Sequence, residues 1–189
     1  MEGETRYIVF DLEATCWKER GHKRQSEIIE IGAVMVDPKG EVLGEFAEFV
    51  KPLVHPELSW FCKKLTHIRQ EDVDGAALYT EVIGRFQKWI GVGEHEYWLC
   101  SWGFYDRRQL TQDSRLHQLD TEWLKPHISV KHQYAELHPP MKPTGMSRAL
   151  KREQMTLDGT HHRGIDDARN ISKIFRRYVD RWRFELPSQ

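Results

Sequence analysis

The chain has 189 residues, enough for one compact domain with a real core. Its 39% hydrophobic and 30% charged residues are an ordinary soluble balance, and a net charge of −1 excludes the strongly basic composition of a protein that coats a duplex. No apolar run approaches the ~18 residues needed to cross a bilayer, and the acidic start Met1-Glu2-Gly3-Glu4 lacks the basic-then-apolar order of a secretory signal. A cytoplasmic protein with no membrane partner is the expectation.

Taken in chain order, Tyr7 to Glu13 begin with a short apolar run and read as a buried strand ending in carboxylates. Residues 14–26 are polar, contain Gly21 and read as a loop; residues 27–36 form a second strand. Asp37-Pro38-Lys39-Gly40 is turn chemistry, so 27–50 reads as a hairpin whose third strand is 41–50. Leu58, Phe61, Cys62 and Leu65 follow a helical repeat, and a second helix over 78–90 aligns Val82, Phe86, Trp89 and Ile90. A short strand at 97–102 leads through Gly103 into a helix over 105–117, and a weakly patterned last strand falls within 127–134. After the breaks at Pro139, Pro140 and Pro143, helices fit 145–155 and 166–183. Three early strands followed by helix–strand alternation predict a mixed sheet flanked by helices in a single α/β domain.

Function has to come from motifs. The cysteines Cys16, Cys62 and Cys100 lack zinc-ligand spacing and read as reduced thiols. Asp11 and Glu13 stand two apart on a strand, so both side chains take one face. Two carboxylates converging on a core strand repel and resist desolvation. A divalent cation relieves both costs, and hard oxygen ligands suit Mg²⁺ or Mn²⁺; the competing reading is two solvated groups at a strand end. Asp106 stands in the first turn of a helix, where capping alone also explains it.

The run from His161 to Ala168 is more informative. Asp167 shares a helical face with Ile171, Ile174 and Tyr178, and Asp166 aligns with Asn170, Lys173 and Arg177. Asp167 is therefore the inward carboxylate, Asp166 serves the helix start, and the register makes His162 the partner of Asp167. Three carboxylate segments and a histidine are what two closely spaced metal ions and a general base require.

These segments carry a resemblance. Phe10 to Cys16, Glu27 to Val34, Ser101 to Asp106 and His162 to Ile171 resemble the DEDDh 3′–5′ exonucleases, and Leu58 to Ile68 resembles the branch with the histone-mRNA and RNA-interference exoribonucleases and the bacterial sporulation-inhibitor exonuclease. The similarity covers about residues 6–180 of one exonuclease domain spanning 1–189. It implies an RNase H-like fold, a five-stranded mixed sheet with the second strand antiparallel. It implies two divalent ions, Mg²⁺ or Mn²⁺, with Asp11 bridging both, Glu13 and Asp167 completing the first site, and Asp106 supporting the second. His162 would be the general base, and nucleoside 5′-monophosphates would leave a single-stranded 3′ end, RNA favoured over DNA. Phe61 and Tyr105 would hold the terminal base, with Ala14 and Thr15 near its sugar, where a 2′-hydroxyl can be sensed. His67 and Phe104 depart from the pattern. The same chemistry on DNA, or end binding without catalysis, are the alternatives.

Arg107 and Arg108 read either as phosphate contacts or as a solvated helix face, and Arg176, Arg177, Arg181 and Arg183 as a basic end to the last helix. Trp98, Trp102 and Trp123 read either as base-stacking rings or, as aromatics near strands more often are, as core. His22, His55, His117, His127, His132 and His138 show no ligand spacing and read as surface residues.

Overall fold

The computed structural model describes residues 5–19 and 23–186; the acidic start at 1–4, Gly21 and His22 lie outside the described residues. Strand β1 (Arg6–Ala14) is central because both its faces are apolar. Ile8, Phe10 and Leu12 enter one core layer and Val9 the opposite one, so Asp11 and Glu13 share the Val9 face. β1 pairs antiparallel with β2 (Ile28–Val36), which pairs antiparallel with β3 (Val42–Phe49). The β2–β3 turn is held by Asp37, whose Oδ1 accepts the amides of Lys39 at 2.9 Å and Glu41 at 2.7 Å.

On its other edge β1 runs parallel to β4 (Tyr97–Ser101), and β4 runs parallel to β5 (His127–Ser129). Among the described residues the sheet has the order β3-β2-β1-β4-β5, with the second strand antiparallel as expected.

The Phe10 face is covered by α3 (Tyr79–Ile90), by Leu110 of α4 (Tyr105–Leu116) and by Trp123 and Leu124. The Val9 face is covered by α5 (Val130–Leu137), α6 (Met146–Arg152) and α7 (Gly164–Arg177). A third, smaller cluster joins Ile29 to Leu58, Cys62, Ile68 and Val73 beneath α1 (Trp60–Thr66) and α2 (Gln70–Asp74). Ser59 caps α1, its Oγ accepting the Cys62 amide at 3.0 Å. Among the described residues no helix is long and apolar enough to cross a membrane.

Several expectations are corrected. Only His127–Ser129 of the 127–134 segment is extended, because β4 ends at Ser101 and offers no further ladder. Val130 and Tyr134 then bury one face of a helix. The last helix starts at Gly164 and ends at Arg177, earlier at both ends than 166–183. Beyond it Trp182 folds back and its Nε1 donates to the Phe175 carbonyl at 2.8 Å, satisfying a carbonyl of the last turn. Asn170, aligned with the solvent face, is fully buried: its amide donates to the carbonyls of Asp158 and Asp166 at 2.8 and 2.9 Å. His127 is buried, and His55, His117, His132 and His138 are half-buried rather than free on the surface.

Candidate active site

One close approach positions the site. Gly32 pairs with Asp11 across β1 and β2, and the start of α7 crosses directly above it. A Cβ on Gly32 would lie 2.1 Å from both the Gly164 carbonyl carbon and the Ile165 nitrogen. Only glycine lets α7 settle this low. Glu30, on the same strand and opposite Glu13, receives the helix start: its Oε2 accepts the Gly164 amide at 3.0 Å and the Arg163 Nε at 3.1 Å. Burial of Ile171, Ile174 and Phe175 holds the rest of α7 down, each contributing ~1.5–3 kcal/mol.

Asp167, in the first turn of α7, is thereby carried over Asp11 and Glu13; ligand oxygens of these three residues lie within 4.8 Å of one another. Asp106 arrives from the first turn of α4, where its Oδ1 accepts the Leu12 amide at 3.2 Å just beyond the last β1–β4 pair. All four carboxylates line one cavity of about 350 Å³, with Tyr105 and Trp102 on its wall and His161 and His162 on its rim.

Electrostatics show what this arrangement costs. Burial, and then Asp106, Glu13, Asp167 and Glu30, hold Asp11 well above the usual carboxylate range. Burial, then Asp167, Glu30 and Asp106, push Glu13 up to about 8. Burial pushes Asp106 up to about 7, although the Leu12 amide pulls it down. The charged groups that raise Asp11 most are acidic, and Arg163, at the start of α7, is engaged by Glu30. A cluster of hard oxygen donors with this excess of negative charge fits divalent cations such as Mg²⁺ and Mn²⁺.

His162 does not pair with Asp167 through its ring. It precedes the helix with φ 64°, so helical spacing does not apply to it. Its backbone amide donates to Asp167 Oδ2 at 3.0 Å, while the ring of His161 places Nδ1 3.0 Å from both Asp167 oxygens. The two imidazoles stack with centroids 4.0 Å apart. Burial first, then His161, hold His162 below the ordinary imidazole value, with Asp167 acting in the opposite sense.

Of the remaining substrate-binding candidates only Tyr105 lines this cavity. Tyr105 opens α4 and is half exposed at the cavity wall, its hydroxyl donating to Gln109 Oε1 at 3.3 Å. Phe61 is not in the carboxylate cavity; it lines a separate hollow with Lys18, Trp60 and Lys64. Ala14 and Thr15 are buried, and Thr15 is tied to Glu27 through both its amide and Oγ1. His67 caps α1 in a left-handed conformation and contributes to the depression of His162. Phe104 stacks on His132 at 4.9 Å.

Arg107 donates Nε to the Leu124 carbonyl at 3.0 Å, and with Arg108 and Arg115 it lines a cavity along α4. Arg176 donates to Gly40, Arg177 to Glu153 and Arg183 to Glu136, so these three serve the packing of the chain's end.

Sequence reasoning passed over Glu30 and the ring of His161. An acid inside the run Ile28-Ile29-Glu30-Ile31, and a second histidine five residues before an aspartate, were the available signals.

A sheet whose central strand ends in paired carboxylates, completed from two helix starts, defines a nuclease-like metal site on an RNase H-like fold. The family model described as Exonuclease matches residues 8–175, and the chain belongs to this family, in its DEDDh group. It is 33% identical to human ERI1 exoribonuclease 2 over 197 residues, covering 88% of this chain and 27% of that protein. The chain thus spans about a quarter of that relative's length. Among solved structures it is similar to the nuclease domain of 3′hExo, a DEDDh family member, bound to rAMP (TM-score 0.89, 27% identity, 98% of each chain). It is also similar to a 3′-exonuclease whose structure describes 3′-end specific recognition of histone mRNA stem-loop (TM-score 0.86, 28% identity, 94% of this chain and 82% of that one).

Proposed function

We propose that this chain is a 3′–5′ exonuclease that removes nucleoside 5′-monophosphates from single-stranded RNA 3′ ends. The observation that carries the reading is the convergence of Asp11, Glu13, Asp106 and Asp167 in one cavity rimmed by His162. These four carboxylates would hold two divalent ions. Bound there, such ions supply Lewis-acid activation of water and stabilise charge on the scissile phosphate.

The chain's own residues do the rest. His162, held below its usual value, is neutral near pH 7 and accepts the proton of the attacking water. Its backbone tie to Asp167 sets its place relative to the carboxylates. Tyr105 offers an exposed ring for the terminal base, worth ~1–3 kcal/mol of stacking. RNA is favoured by the exoribonuclease name of the 33% identical relative and by the rAMP and histone-mRNA structures.

Asp11→Asn provides the test. The substitution is expected to abolish hydrolysis with Mg²⁺ or Mn²⁺ and to remove the rise in Tm expected of the wild type with either ion. Full activity in the variant would overturn the assignment. Equal rates on RNA and DNA of one sequence would overturn the sugar preference.

A further inference from the structure

Beside the oxygen cluster stands a second donor set of different chemistry. His161, His162 and Asp167 each offer one ligand atom, and these three atoms lie within 4.8 Å of one another. His161 Nδ1 is already 3.0 Å from both oxygens of Asp167, and the His162 ring stacks on it at 4.0 Å between centroids. We propose that these three residues form a binding site for a borderline transition-metal ion, Zn²⁺ foremost, whose occupation shuts the exonuclease site.

The donor set selects the ion. Two imidazoles and one carboxylate suit Zn²⁺, whereas Mg²⁺ takes oxygen ligands. Bond lengths of ~2.0–2.2 Å put tetrahedral ligand atoms about 3.3 Å apart. The His161–Asp167 pair already meets that spacing. A ring nitrogen of His162 lies within 4.8 Å of the other two donors, and turning the ring out of its stack on His161 aims its in-plane lone pair at the same point. The supporting shell is present as well. The His162 amide fixes Asp167 Oδ2 at 3.0 Å, and Asp166 Oδ2 accepts the Thr160 amide at 2.9 Å, pinning the turn that carries both histidines. Three protein ligands leave a fourth position open to solvent.

The consequence follows from the shared residues. Asp167 belongs to both donor sets, and His162 is the proposed base. An ion held by both takes one ligand from the carboxylate cluster and the lone pair that would accept the water's proton. The inhibitory half of the proposal rests on the exonuclease reading; the binding half does not.

Zn²⁺ affinity is measured on metal-free protein by competition with a chromophoric chelator, for wild type, His161→Ala and His162→Ala. Co²⁺ serves as a spectroscopic probe of the same site. Each substitution is expected to weaken Zn²⁺ roughly tenfold or more and to remove the visible Co²⁺ band of a site with nitrogen ligands. Matching melting curves without metal establish that the variants fold. Unchanged Zn²⁺ affinity in His161→Ala would overturn the site, because the ion would then rest on the carboxylates alone. In millimolar Mg²⁺, Zn²⁺ is expected to inhibit the wild type at roughly tenfold lower concentration than His161→Ala; equal sensitivity overturns the inhibitory half. A protein inactive with every ion but with His161-dependent Zn²⁺ affinity would defeat the proposed function and leave this site standing.

Discussion

Replacing Gly32 by alanine tests how the site is assembled. The new Cβ would stand 2.1 Å from two backbone atoms of Gly164 and Ile165, and ordinary contact begins near 3.4 Å. The start of α7 must therefore rise by more than about 1 Å, since backbone, unlike a side-chain tip, cannot rotate away. The overpacking costs about 3 kcal/mol, which for a chain of this size lowers Tm by roughly 6–12 °C. Asp167 moves with the helix, away from Asp11 and Glu13, and a displacement of ~1 Å is worth about 10²-fold in rate. The assay pairs single-turnover hydrolysis of a labelled oligonucleotide with thermal melting. Gly84→Ala is the control: its Cβ meets nothing within 4 Å inside α3, so it is expected to raise stability by ~0.5–1 kcal/mol and leave the rate alone. A Gly32→Ala protein with wild-type rate and Tm would refute the argument that this glycine sets the height of α7.

Other outcomes are equally specific. His162→Ala is expected to lower kcat by ~10²–10⁴-fold while the Tm rise with Mg²⁺ persists; loss of that rise would make the ring a required ligand for Mg²⁺ rather than a base. His127 carries a pH prediction, one hydrogen-bonded residue removed from Asp106 through Ser101. Burial first, then Arg107, push it down to about 3, and its Nε2 sits 2.8 Å from Ser101 Oγ. Because the folded value lies below the unfolded one near 6.5, the unfolded chain takes the proton first. Stability then falls as pH drops below about 6.5, by about 2 kcal/mol at pH 5, and this loss levels off near 3. Denaturant titrations should show His127→Gln lacking that share of the acid loss; parallel pH profiles for the two proteins would contradict it.

What the sequence made legible was what periodicity encodes. An apolar run closing on Asp11 and Glu13 announced a central strand with carboxylates on one face, and the spacing of Asp167, Ile171 and Ile174 turned the right side of α7 inward. Where the residues leave regular structure, periodicity loses its grip. His162 precedes α7 in a left-handed conformation, so a helical register assigned its ring to Asp167 when the amide makes that bond. Residues 127–134 read as a strand because their pattern is weak and the length of the neighbouring strand, which decides where pairing stops, is not local information. Glu30 was passed over for the same reason. Its meaning depends on Glu13 across the ladder and on the Gly164 amide from a helix more than a hundred residues away. Phe61 matches a motif position and lines a hollow separate from the carboxylate cavity, a placement that helical periodicity alone does not encode.

The central claim is that the four carboxylates support hydrolysis from a free 3′ end. Incubating the protein with Mg²⁺ or Mn²⁺ and a 5′-labelled single-stranded RNA, with or without a blocking 3′-phosphate, tests it most directly. The account predicts a ladder that shortens one nucleotide at a time from the open 3′ end, is suppressed by the block and vanishes with EDTA. Internal cuts that ignore the block, or no cleavage with either ion, would contradict it.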